Sequence, residues 1–214
     1  MIKKILVSVL LSSFAAAAGA HQVWIERDGA APAKVYVGDI DGERDHGEDV
    51  ARLASTIRVF GQHSGQPATV TNRDAYLEAA VTGPGDVRLI ADQVWKPWKN
   101  KDGQMQAAVF TSRAGRSETA AALDFELVPV KANGNAFVLI FKGAPVAGKQ
   151  VSIVNPDQWV KAMTTDKDGR LTVPVRDKGR YILMSSHDHP GEAEIAGETV
   201  QKVSYTTTLS FVAK

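Results

Sequence analysis

The sequence predicts an all-β protein: two β-sandwich modules behind a short leader. Three observations predict it. Apolar and polar residues alternate over short runs along most of the chain, and Gly, Pro, Asn and Asp recur between the runs as turn formers. After residue 20 no stretch carries the spacing of a helix of ordinary length. Short strands with turns at such regular spacing make a sandwich.

The leader comes first. Lys3 and Lys4 form a positive start, residues 5–18 an apolar run interrupted by Ser8, Ser12 and Ser13, and Ala18-Gly19-Ala20 a small-residue exit. Residues 1–20 therefore read as a secretory signal peptide, cleaved after Ala20. The run is too short for a comfortable bilayer span, and polar Gln22, Glu26 and Arg27 follow it at once, which weighs against the alternative of an uncleaved anchor. The mature chain is expected to be periplasmic or secreted, to begin at His21, and to make no direct membrane insertion after signal cleavage.

Charge and cysteine content narrow the partners. The chain carries 25 Lys+Arg against 24 Asp+Glu, a formal charge of +1, and losing Lys3 and Lys4 with the leader takes that to about −1. Such a balance points away from nucleic acid or an anionic membrane. With no cysteine, an exported chain has no disulfide framework and no thiolate chemistry, so its core holds the fold unaided. Any metal site must draw on His, carboxylate, Met, Tyr or the amino terminus.

The elements follow in order. Residues 22–26 alternate, with Val23 and Ile25 on one face and Trp24 on the other, and residues 34–37 repeat the pattern with Val35 and Val37. Residues 38–49 form a polar loop holding Asp39, Asp41, Glu43, Asp45, Glu48 and Asp49, with Arg44 and His46 among them. Strand-like runs resume at 56–60, 68–71, 75–81, 86–94 and 105–111, and Gly83-Pro84-Gly85 is a turn by composition. Residues 112–122 read as a loop or a single helical turn. Residues 124–128 alternate until Pro129, and the apolar run 136–141 predicts a central strand buried on both faces. Further strands are expected at 151–153, 171–175 and 181–184. The last strand, 203–212, puts Val203, Tyr205, Thr207, Leu209 and Phe211 on one face. A boundary near residue 130 separates an N-terminal sandwich-like module, 21–130, from a C-terminal sandwich, 131–214.

Two resemblances enter here. The C-terminal run Lys142-Gly143-Ala144-Pro145-Val146-Ala147-Gly148, then Val151-Ser152-Ile153-Val154 and Thr165-Asp166-Lys167-Asp168-Gly169-Arg170, resembles the transthyretin-like or carboxypeptidase-regulatory-like β-sandwich, an Ig-like architecture. Over residues 20–212 the chain resembles a family of exported bacterial proteins of unknown function. These open with Ala-His-x-x-Trp-Ile-Glu, here Ala20 to Glu26, and continue with Ala-Gly-Arg-Ser-Glu-Thr, here Ala114 to Thr119. Asp124 to Pro129, Pro190-Gly191-Glu192 and Thr207 to Phe211 match the later motifs. The family is associated with periplasmic nickel or cobalt uptake. The resemblance implies nickel or cobalt as the bound ion and an envelope metal transporter or other membrane protein as partner.

Histidines supply the candidate metal ligands: His21, His187, His189 and His46. At a free amino terminus the α-amino nitrogen and the Nδ1 of His21 can close a chelate on one ion, although a terminal histidine can also be an accident of processing. In a strand His187 and His189 share one face, within reach of a single ion. Asp188 points the other way, and Pro190 is expected to end pairing. The same stretch also reads as a solvated polar loop. Imidazole pairs suit nickel, cobalt, copper or zinc. His46 and its acidic loop add an oxygen ligand or attract cations, or are simply solvated. His63 lies in a turn and reads as surface. Trp95 and Trp98 form either a stacking platform or packing. No catalytic motif is legible, neither G-x-S-x-G nor H-E-x-x-H nor a phosphate loop. The terminal histidine also resembles the copper histidine brace of polysaccharide monooxygenases, which leaves a copper-dependent oxidase as an alternative. A structural or interaction module of the envelope, without metal, is the other.

Overall fold

The computed structural model describes residues 21–61 and 66–214. The expected leader and His63 lie outside the described residues. The N-terminal alternation makes a hairpin: β1 (Gln22–Glu26) pairs antiparallel with β2 (Ala33–Gly38), Trp24 opposite Tyr36. The polar loop and one helical turn, α1 (Glu48–Ala51), lead to β3 (Ile57–Phe60). Short strands β4 (Val70–Asn72), β5 (Leu77–Ala79), β6 (Val87–Ala91) and β7 (Trp98–Lys99) precede the long β8 (Met105–Ala114). After a loop come β9 (Phe125–Pro129), β10 (Ala136–Phe141), β11 (Ala144–Pro145), β12 (Gln150–Val154), β13 (Val160–Thr164) and β14 (Arg170–Thr172). Two long strands close the fold, β15 (Gly179–Ile195) and β16 (Glu198–Ala213).

These strands form three sheets in three layers. The middle sheet has eight strands, β13-β12-β15-β16-β8-β6-β3 with β7 beside β8. Sheet β1-β2-β5-β4 covers one of its faces; the sheet of β9, β10, β11 and β14 covers the other. Alternation along β8 separates the two cores. Ala107 and Val109 join Phe125, Leu127, Phe137 and Leu139 on the β9–β10 side. Phe110 and Ala114 join Val23, Ile25, Val35 and Leu89 on the β1–β2 side. The last strand follows its expected pattern, with Val203, Tyr205, Leu209 and Phe211 in the first of these cores. Its other face is polar where β1 crosses it. Ser112 Oγ accepts the Ile25 N–H at 3.0 Å and Ser210 Oγ donates to the Ile25 carbonyl at 2.6 Å, so the buried backbone of β1 is satisfied by side chains.

All-β sandwich architecture is thus present, and the middle sheet belongs to both halves of the chain. β8 from the N-terminal half pairs in parallel with β16 over Gln106–Ala114 and Lys202–Ser210. The expected boundary near residue 130 falls inside the β9–β10 hairpin, where Phe125 pairs with Phe141. A long-range parallel pairing leaves no periodic signature in a sequence. Two local expectations differ as well. Residues 136–141 bury only Phe137, Leu139 and Phe141, because their sheet is an outer layer. Pro190 does not end β15: a register shift between Pro190 and Ala193 lets the strand run on to Ile195.

Candidate functional site

His21 sits at the start of β1, and its partner is Asp45. The Nδ1 of His21 lies 2.7 Å from Asp45 Oδ2. Local chain geometry makes the meeting. Gln22 pairs with Gly38 at the end of β2, and the loop that follows doubles back, Asp39 N–H donating to the Glu43 carbonyl at 2.9 Å and Asp45 N–H to the Val37 carbonyl at 2.8 Å. Gly38 makes that return possible. Its φ is 127°, and a side chain there would collide with the Glu43 carbonyl. The histidine side chain is 51% exposed and the Asp45 side chain 16%, so a well-held carboxylate faces an accessible imidazole. His46 is exposed and has no polar partner among the described residues. On the other flank of His21, Arg52, Trp95, Lys96, Trp98, Ala108 and Phe110 line an open cavity of about 590 Å³. Trp95 packs against Phe110 with ring centroids 5.1 Å apart, so its main contact is the core; Trp98 stays 38% exposed.

His187 and His189 do share a face of β15, but it is the opposite face of the middle sheet. Their rings pack on Phe141 with centroids at 4.5 and 5.0 Å, and His187 also meets Phe125 at 5.8 Å. Phe125 and Phe141 belong to the β9–β10 core, whereas Ala108 and Phe110 beside His21 face β1. The middle sheet therefore lies between His21 and the pair, so His21 and the His187–His189 pair are not brought together on one ion. Burial, reinforced by the charges of Lys149 and His189, holds the His187 imidazole below its ordinary value of 6.5. Its Nδ1 is buried without a partner among the described residues. Asp188 points away, accepting from Lys202 Nζ and Ser204 Oγ, both at 2.7 Å. Among the described residues, no group of three or more His, Asp or Glu side chains is placed to hold a metal. A site at His21 therefore needs the free α-amino group as a donor beside the ring and Asp45.

Two buried polar clusters escaped the reading of the sequence. In the first, Glu26 takes the Trp24 indole N–H at 3.0 Å, Arg44 at 3.1 Å and Arg180 at 3.0 Å, and Arg44 also lies 3.9 Å above the Tyr36 ring. This ties β1 to β15. The second joins Arg113 to Asp86 and Glu126, and Arg88 to Glu126 and Glu118, at the end of the β9–β10 core. Its carboxylates also accept main-chain N–H groups: Ser117 and Glu118 donate to Asp86, Ala122 and Leu123 to Glu126. So full a set of partners is what a buried charge needs. The motifs spanning residues 114–119 and 124–129 supply much of this network. The one visible signal was Arg113, which stands on the Ala107–Val109 face of β8 where alternation calls for an apolar residue; Glu126 and Arg88 fall at the polar positions between Phe125 and Leu127 and between Val87 and Leu89.

No family model and no curated protein matches the chain. Among solved structures it is similar to SGBP-B of the Bacteroides ovatus mixed-linkage glucan utilization locus, solved in complex with a mixed-linkage heptasaccharide, at 13% identity and a TM-score of 0.19. The match covers 87% of this chain and 43% of that one, so the chain spans less than half of that structure.

Proposed function

We propose that the protein is exported, is processed to begin at His21, and binds a divalent transition metal, nickel or cobalt, at that terminus as a capture component for an envelope transporter. The observation that carries this reading is the 2.7 Å contact between His21 Nδ1 and Asp45 Oδ2. With a free α-amino group, His21 offers two nitrogens and Asp45 one oxygen. Two ligand atoms about 2.1 Å from an ion and at right angles to each other stand about 3 Å apart, a few tenths of an ångström beyond the present spacing. A donor set of nitrogen and carboxylate oxygen suits nickel, cobalt, copper or zinc. The exposed side of His21 leaves room for water or for the partner that takes the ion. The acidic loop around Asp45 raises the local cation concentration. Both nitrogens bind only when deprotonated, so affinity falls as the pH drops.

Calorimetric titration of the processed protein with nickel, cobalt, copper and zinc tests this, beside a form carrying one extra residue before His21 and beside Asp45→Ala. One equivalent should bind, and each change should weaken binding by about tenfold or more. Equal affinity in all three forms, or no binding, sinks the proposal. Tight binding of copper alone, with oxygen consumption in the presence of a reductant, supports the oxidase reading instead. The metal-free reading, an envelope interaction module, draws on a different feature: Trp159 is 77% exposed and Val160 48% exposed at the edge strand β13.

A further inference from the structure

Arginine pairing points to a second site. Of the described arginines that are buried or half-buried as whole residues, Arg58, Arg88, Arg113 and Arg180 each have a carboxylate within salt-bridge distance. The other two, Arg27 and Arg116, have none among the described residues, and both line one cavity of about 720 Å³. Arg27 spends its donors on main-chain carbonyls, Ala31 at 2.9 Å, Gly83 at 2.9 Å and Val81 at 3.2 Å. Arg116 lies 4.1 Å above the Phe211 ring and donates through Nη1 to the Gly134 carbonyl and to Asn135 Oδ1. Its Nε and Nη2 have no protein acceptor among the described residues. The two side-chain acids at the cavity are engaged elsewhere, Asp28 by Arg180 and the buried Asp86 by Arg113 and Ser117, and Lys214 also lines it. Partial burial of a charge without a counter-ion is costly, and it pushes the Arg116 guanidinium below its ordinary pKa.

We propose that this cavity binds a small organic oxyanion, its carboxylate, sulfate or phosphate head on Arg116 and its apolar body along the exposed side chain of Val212. A guanidinium fork matches such a head. The cavity is far larger than an inorganic ion and falls in the range of small-molecule sites. Nothing in this site depends on His21 or on a metal.

The test is an NMR titration of the whole chain with sodium benzoate, succinate and sulfate at constant ionic strength, following the Arg116 Nε–H and Asn133 side-chain resonances. Saturable shifts with benzoate, tighter by about tenfold than with sulfate, are expected. Arg116→Gln should weaken benzoate binding by about tenfold or more while its amide spectrum stays that of the folded chain. Arg27→Gln, which leaves Arg116 in place, should weaken it less. Tighter binding of sulfate than benzoate would overturn the organic body and leave a site for a simple oxyanion. Shifts that do not saturate with any probe, or that persist unchanged in Arg116→Gln, would overturn the site and leave Arg116 as a latch between two turns.

Discussion

The two faces of the middle sheet treat histidine in opposite ways. On the β9–β10 face, His187 and His189 lie against Phe141, and burial lowers the His187 pKa. On the β1–β2 side, His21 stands half-exposed against a carboxylate. A pair of imidazoles on one strand looks the better ligand set on paper, yet its neighbours are aromatic faces. The single imidazole has the oxygen partner. What a histidine does here is decided by the layer across from it, and that layer comes from distant parts of the chain.

Removing the aromatic face is the largest way to break the contrast. Phe141→Ala should cost about 3–5 kcal/mol of stability, as large-to-small changes in a packed core do. Urea unfolding measures that, and NMR titration should show the His187 pKa moving up towards its ordinary value. A His187 that titrates unchanged after loss of the ring would mean that Phe141 is not what desolvates it.

A smaller effect sharpens the same point. Because the folded-state pKa of His187 lies below its unfolded value of 6.5, the fold favours the neutral ring. The stability tied to it is fully present above about pH 6.5 and is lost as the pH falls through the folded value. Urea unfolding from about pH 7.5 down to pH 5 should show that decline, and His187→Gln should flatten part of it. An identical slope in the variant would show that other groups carry the acid sensitivity.

Much of this arrangement was legible in the sequence. Odd-numbered residues from Val203 to Phe211 and the opposition of Val23 and Ile25 to Trp24 needed only period-two alternation, which reports burial on one face. The layer count was not legible, because β8 and β16 pair in parallel across nearly a hundred residues and no local pattern encodes such a pairing. The same limit hid the Arg113–Asp86–Glu126 network, whose members come from three strand ends and whose arginine occupies a position that alternation assigns to an apolar residue. His21 was visible as a candidate from its place after Ala20. Its partner was hidden among six acids in one loop, and the tight return at Gly38 selects Asp45 from them. For His187 and His189 the shared face was readable and the aromatic layer opposite was not.

A zinc titration of the processed protein, followed through the imidazole ring resonances of every histidine, tests the account most directly. One equivalent should shift the His21 ring nitrogens and leave those of His187 and His189 in place. Zinc-dependent shifts at His187 and His189 with none at His21 would contradict it.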